Sequence, residues 1–166
     1  VAVRQVLTLP EPLLQRVAEP VGKVDEPALC LASDLIDTMR ASPACVGLAA
    51  PQIGVGLRAF VVDVTGHRKT RSCHGLVVMF DPEVVEASDP ACAREGCMSV
   101  PDLTGDVTRP SKVVVRGMGT DGRSLVVESD AFEARALLHE IDHLDGLVFL
   151  DRVDGPANVY PRKVYR

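Results

Sequence analysis

Two histidines four residues apart, with a glutamate directly after the first, stand in LLHEIDHLDG at positions 137 to 146. On a helix His139 and His143 lie one turn apart on a common face and can share one cation. Glu140 lies about 100° around from His139, too far to be a comfortable ligand but near enough to take a proton from a metal-bound water, which is the work of a general base. The plainer reading is a helix whose histidines face solvent or hydrogen-bond in the core. The helical wheel weighs against it: Leu137, Ile141 and Leu144 form an apolar stripe opposite the histidines, while Phe132 and Ala136 lie on the histidine side. Both faces are then partly buried, and two buried imidazoles need partners.

A hydrolytic metal site needs a third protein ligand and an open fourth position. Beyond Leu144 the chain has no His or Glu, only Asp145, Asp151 and Asp154, so the third ligand is expected upstream. Cys97 in REGCMSVP (94 to 101), flanked by Gly96 and followed closely by Pro101, is the best candidate by a modest edge; it is equally readable as a small buried residue, and spacing alone does not choose it over Cys92 in DPACAR. His67 and His74, in the basic stretch GHRKTRSCHG (66 to 75), lack the spacing that would put them on one face and are read as loop residues.

The elements that must position these groups follow from periodicity. Residues 132 to 144 form a helix opened by Asp130, with Glu133 three residues on in a capping-box arrangement, and closed by Gly146. An earlier amphipathic helix spans 25 to 40, with Leu29, Ala32, Leu35, Ile36 and Met39 at helical spacing and Asp25 as cap. CVGLAAPQIGVG (45 to 56) reads as a Gly-rich loop leading into the strand RAFVVDV, and LVVMFDPEVVEA as one or two strand segments. KVVVRGM and RSLVVE flank GTDG, a hairpin signal. The expected fold is α+β: antiparallel or mixed sheets around a central metal-binding C-terminal helix, with an N-terminal helix, as one domain over residues 1–166.

Composition narrows the partners. A net charge of −5, 4% aromatic residues and no Trp argue against direct nucleic-acid or membrane binding, and the basic tail RKVYR (162 to 166) reads as a solvated chain end. No run approaches the roughly 20 apolar residues of a membrane helix, and the first residues do not look like a signal peptide, so a cytoplasmic protein is expected. Five cysteines without close repeated spacing are expected to be free thiols.

GLAAPQIG (47 to 54), EGCMSVP (95 to 101) and HEIDHLDG (139 to 146) together resemble the three motifs of the peptide deformylases, in the same order and over nearly the whole chain. The resemblance implies that Cys97, His139 and His143 hold a divalent metal, with Fe2+ the physiological ion and Zn2+, Ni2+ or Co2+ as substitutes. It implies removal of the N-formyl group from N-formyl-methionyl nascent peptides, with transient ribosome contact conceivable. On this resemblance a water activated by the metal would attack the formyl carbon, and Glu140 would take its proton and later deliver it to the leaving amine. Gln52 and the backbone N–H of Met98 are implied donors to the oxyanion, Gln52 being otherwise a solvated loop residue. Val46, Gly47, Leu48, Gly96, Phe132, Arg135 and Ala136 are the implied substrate-binding residues, with the Gly47 backbone running beside the peptide as an added strand would.

Four positions depart from the family's pattern. Cys45 stands where Gly is frequent and is read as a packing change; Met98 replaces the usual Leu. Thr104 stands near the place of an Arg that contacts the peptide, with Arg109 further on. Arg135 occupies a pocket position where an apolar side chain is expected; it either lays its stem along the wall with its head in water, or narrows and polarises the pocket. Two other readings stay open: a different HExxH amidase that does not need Cys97, and a non-catalytic binding domain clamped by its metal.

Overall fold

The structure, a computed structural model, describes residues 2–162. Two α-helices pack on opposite faces of one antiparallel sheet, with strand order β1-β2-β3-β4-β5 and β6 paired to β4. The strands are β1 Gly47–Ala49, β2 Ala59–Val62, β3 Val77–Cys97, β4 Val100–Met118, β5 Ser124–Asp130 and β6 Val159–Pro161. The helices are α1 Glu26–Arg40 and α2 Ala131–Leu144.

Strand parity divides the core. Successive side chains of β2 alternate in direction, so Phe60 and Val62 pack with Leu137 and Ile141 of α2, whereas Ala59 and Val61 pack with Leu31 and Leu35 of α1. Leu48 of β1 falls on the α1 side and is fully buried there. Of the predicted α1 face, Leu29 is a correction. It is exposed, and the buried stripe runs through Ala28, Leu31, Ala32, Leu35 and Met39. Asp25 caps α1 as expected, its carboxylate accepting from Ala28 N at 3.0 Å.

The start of α2 corrects the expected capping box. Asp130 is the N-cap residue, but its side chain caps nothing in the helix and accepts from Ser72 N at 2.9 Å. Glu133 is fully buried and accepts from His74 N at 2.8 Å and Ser129 Oγ at 2.7 Å. Both carboxylates are thus drawn into tertiary contacts that tie the 66–75 loop to the helix. The other end follows the sequence. Leu147 N reaches Asp142 O at 2.9 Å and Gly146 N reaches His143 O at 3.2 Å, a Schellman closure with Gly146 at φ +76°. A Cβ at 146 would lie 2.9 Å from the Gln15 and Arg16 backbone, so glycine is required twice over.

The predicted strands of the middle are longer than their apolar runs. β3 and β4 form a hairpin that continues through ASDPACAREGC and PDLTGDVTRP to a tight turn at Met98 and Ser99. Pro82 sits in a register shift between Phe80 and Glu83, where a missing N–H is tolerated. Asp81, at φ +50°, accepts from Val21 N and Gly22 N there. The GTDG hairpin joins β4 to β5 as expected. The expected Gly-rich loop at 45–56 is instead the short strand β1 and a 3₁₀ turn, Ala50–Ile53. No described helix is long and apolar enough to cross a membrane. Of the basic tail, only Arg162 is among the described residues.

Candidate metal centre and active site

Helix α2 lies buried along ten of its fourteen residues, which fixes the azimuth of HEIDH against the sheet. His139 and His143 project from one face with ring centroids 5.1 Å apart. The β3–β4 turn brings Cys97 to the same point: its Sγ, the two imidazoles and no other described ligand set of three or more lie within 4.8 Å of one another. Cys97 Sγ and His143 Nε2 are 3.3 Å apart. A thiolate at about 2.3 Å and an imidazole at about 2.0 Å from a tetrahedral ion lie about 3.5 Å apart, so the spacing fits a shared cation. One sulfur and two imidazole nitrogens suit a borderline transition metal such as zinc or iron and not the oxygen-seeking magnesium or calcium. Cys92, the alternative, is exposed and outside the cluster.

Glu140 is 4% exposed, and its Oε1 has no hydrogen-bond partner. Burial pushes its pKa up to about 7, against the pull of His139 and Arg109. The backbone of Gly47 lies against this carboxylate; a Cβ there would be 2.6 Å from Glu140 Oε2. Gln52 is 2% exposed. Its Oε1 accepts from Ala49 N at 3.0 Å, which orients the amide so that Nε2 reaches Ser99 Oγ at 3.1 Å and Cys97 Sγ at 3.6 Å. It is therefore a fixed donor beside the metal ligands and not a solvated loop residue.

Around these groups lies an open cavity of about 240 Å³. Val46, Gly47, Gly96, Met98, Phe132, Arg135 and Ala136 all line it. Leu48 does not. Parity sends its side chain to the α1 face, so any contact of Leu48 with the cavity is through its backbone. β1 is the edge strand of the sheet, and its pairing with β2 leaves the polar groups of Gly47 on the outer side.

Three residues enter the site by routes the sequence reading missed. Glu95 accepts from His139 Nδ1 at 2.8 Å, from Arg135 Nη1 at 2.6 Å and from Arg109 Nε and Nη2 at 2.6 and 3.0 Å. Burial alone would raise the Glu95 carboxyl, but the hydrogen bonds from His139 and Arg109 outweigh it and hold it far below the usual range. Its position two residues before Cys97 on a strand puts both side chains on one face, a signal available once 94–97 is seen as strand. Arg109 is 3% exposed and also bonds Asp142 Oδ2 at 2.7 Å, so it is a buried brace and cannot grip a peptide.

The second is Arg162. Its backbone N bonds Asp102 O at 2.9 Å, and its guanidinium lies beside Gly96 and Thr104 at the mouth of the cavity. Arg162 therefore supplies a cation beside Thr104. The third is Cys45, which lines the cavity and donates its thiol to Gly47 O at 3.2 Å, more than a packing change. Arg135 settles its own alternatives. Its head is not in water; besides Glu95 it donates to Val107 O at 2.9 Å and Ala91 O at 2.8 Å. The cavity wall at this position is a stem ending in a fixed guanidinium. His67 and His74 are not ligands: the first stacks on Phe132 with centroids 3.9 Å apart, and the second bonds Glu133.

Fold and site together define an α+β protein built around a Cys-His-His centre on an HExxH helix. The family described as polypeptide deformylase matches residues 3–159. The peptide deformylase of Halothermothrix orenii is 40% identical over 151 residues, covering 91% of this chain and 94% of that one. A crystal structure of peptide deformylase from Ehrlichia chaffeensis superposes with a TM-score of 0.87 at 32% identity, covering 92% and 89% of the two chains. A Met-Ala-Ser-bound class I type b peptide deformylase from Acinetobacter baumannii gives 0.84 at 31%, covering 92% and 100%. The chain belongs to the polypeptide deformylase family.

Proposed function

We propose that this chain, acting as one catalytic domain, removes the N-formyl group from the N-terminal formylmethionine of newly made polypeptides and releases formate. The observation that carries the reading is Glu140: a buried carboxylate with an unpartnered oxygen, beside three converging metal donors and open to a cavity. A purely structural metal clamp needs neither this group nor the fixed Gln52 amide. Cys97, His139 and His143 would hold a divalent ion, Fe2+ in the cell with Zn2+, Ni2+ or Co2+ as replacements. Such an ion polarises the formyl oxygen and makes a water more acidic.

Glu140, with its proton affinity raised by burial, takes the proton of the attacking water and returns one to the leaving amine. Gln52 Nε2 and the Met98 N–H donate to the oxyanion, and each such donor contributes about 3 kcal/mol. The Gly47 edge of β1 aligns the peptide as an added strand. The Met-Ala-Ser peptide bound to the Acinetobacter protein has a methionine first, in keeping with this substrate class. The partners are nascent formyl-methionyl chains in the cytoplasm, met at or near the ribosome.

The test is formate release from a formyl-Met peptide by protein purified anaerobically with iron, or loaded with nickel. Release that a chelator abolishes and added metal restores supports the reading. No metal-dependent release from any formylated peptide overturns it.

A further inference from the structure

A second cavity lies on the far side of Phe132 and Arg135 from the metal donors, and these two residues and Arg94 line both spaces. Its outer wall is the loop after β2, which contributes Arg68, Lys69 and Arg71. No acidic side chain lines it. Arg135 and Arg94 are matched by Glu95 and Asp106, whereas the three loop cations make no close ion pair among the described residues, although Arg71 lies near enough to Asp130 to help hold that carboxyl below its usual range. In a chain of net charge −5 this local excess runs against the whole.

The loop is also held in place. The His67 ring lies parallel to Phe132 at an interplanar angle of 6°, Ser72 N bonds Asp130, and His74 N bonds Glu133. Thr70 Oγ1 donates to Val64 O at 3.0 Å, and Lys69 N to His67 Nδ1 at 3.2 Å. A solvated run of charges needs no such anchoring. The loop instead sets three cations, of which only Arg71 has a carboxylate nearby, beside the rim of the metal cavity.

We propose that this basic cavity is a subsite for a carboxylate side chain, Asp or Glu, in the first few residues after the formylated one. The inference rests on the deformylase reading for the orientation of the peptide. The lining shared through Phe132, Arg135 and Arg94 sets the basic cavity directly beside the metal cavity, which favours a peptide over RNA, and the Phe132 face toward His67 is already covered.

The test compares kcat/KM for formyl-Met-Ala-Ser with peptides carrying Asp or Glu at the second, third or fourth position, for wild type and the triple variant R68S/K69S/R71S, at low and high salt. Wild type favours an acidic peptide by about five- to tenfold at low salt, as expected for a few exposed ion pairs. The triple variant loses that preference and keeps its rate on the neutral peptide. Equal rates on both peptides in wild type, or an equal loss on both in the variant, overturn the subsite. Binding of the same peptides to metal-loaded Glu140→Gln protein, by fluorescence polarisation, decides independently of turnover. Acid-selective binding that the triple substitution abolishes sustains the subsite even if no peptide releases formate, in which case only the deformylase reading falls. Loss of affinity for a short RNA in the triple variant, with peptide selectivity unchanged, overturns it in favour of RNA.

Discussion

Arg135 Nη1 lies 2.6 Å from Glu95 Oε2, and the other oxygen of the same carboxylate accepts from His139 Nδ1 at 2.8 Å. A pocket-wall residue and a metal ligand therefore hang from one group. Arg135→Leu leaves Glu95 its two bonds from Arg109, so the protein folds, with a stability loss of about 1–3 kcal/mol in urea unfolding. The wall at position 135 becomes apolar, and the kcat/KM ratio of formyl-Met to formyl-Glu peptides rises. An unchanged order among formyl-Met, formyl-Leu and formyl-Glu peptides contradicts Arg135 as a determinant of first-residue preference.

Gly47 leaves no room for a side chain beside Glu140. Gly47→Ala displaces the carboxylate, and kcat falls about a hundredfold, the scale of a misplacement near 1 Å. Metal content stays at the wild-type level, since none of the three ligands is touched. A Gly47→Ala enzyme with normal kcat would show that Glu140 has slack the structure does not reveal.

The Cys45 thiol donates to Gly47 O, and on the proposed strand-addition of the peptide it would compete with substrate for that carbonyl. Cys45→Ala frees that carbonyl, and KM falls about two- to fivefold with kcat unchanged, on the scale of one weak hydrogen bond. Burial and the nearby Glu140 push the Cys45 thiol up to about 11, so it stays protonated at neutral pH. Iodoacetamide at pH 8 should modify the exposed Cys30, Cys73 and Cys92 well before Cys45, with Cys45 joining only as the pH nears 11. Mass spectrometry of the alkylated peptides reads the order.

Arg162 stands at the cavity mouth and is exposed. Arg162→Ala raises KM for tripeptide and longer substrates about two- to fivefold and leaves kcat and Tm unchanged, as for an exposed contact. Arg162→Lys recovers part of the loss. An equal effect on formyl-Met amide, which does not extend to the mouth, contradicts a peptide contact.

How much of this was legible follows from what holds each part together. Helix α2 could be read because burial imposes a 3.6-residue period on it and Gly146 marks its end. The β4–β5 hairpin could be read from GTDG. The outer half of the β3–β4 hairpin could not, because residues such as Ser88, Pro90 and Ala91 sit in a ladder whose outer surface is exposed and needs no apolar alternation. Asp130 and Glu133 have capping-box spacing yet serve Ser72 and His74, partners about sixty residues away that local sequence cannot name. The metal ligands were distinguished by their motifs, whereas Glu95 and Arg162 act through register and chain return.

Glu140 is the centre of the account, and Glu140→Gln tests it with almost no change of shape. The prediction is about one metal ion per chain by mass spectrometry, as in wild type, with formate release from a formyl-Met peptide reduced by at least a thousandfold, the upper range for losing a general acid–base. Cys97→Ser, by contrast, should lose metal and activity together. Glu140→Gln protein that keeps its metal and still releases formate within tenfold of wild type would contradict the assignment of Glu140 as the proton carrier.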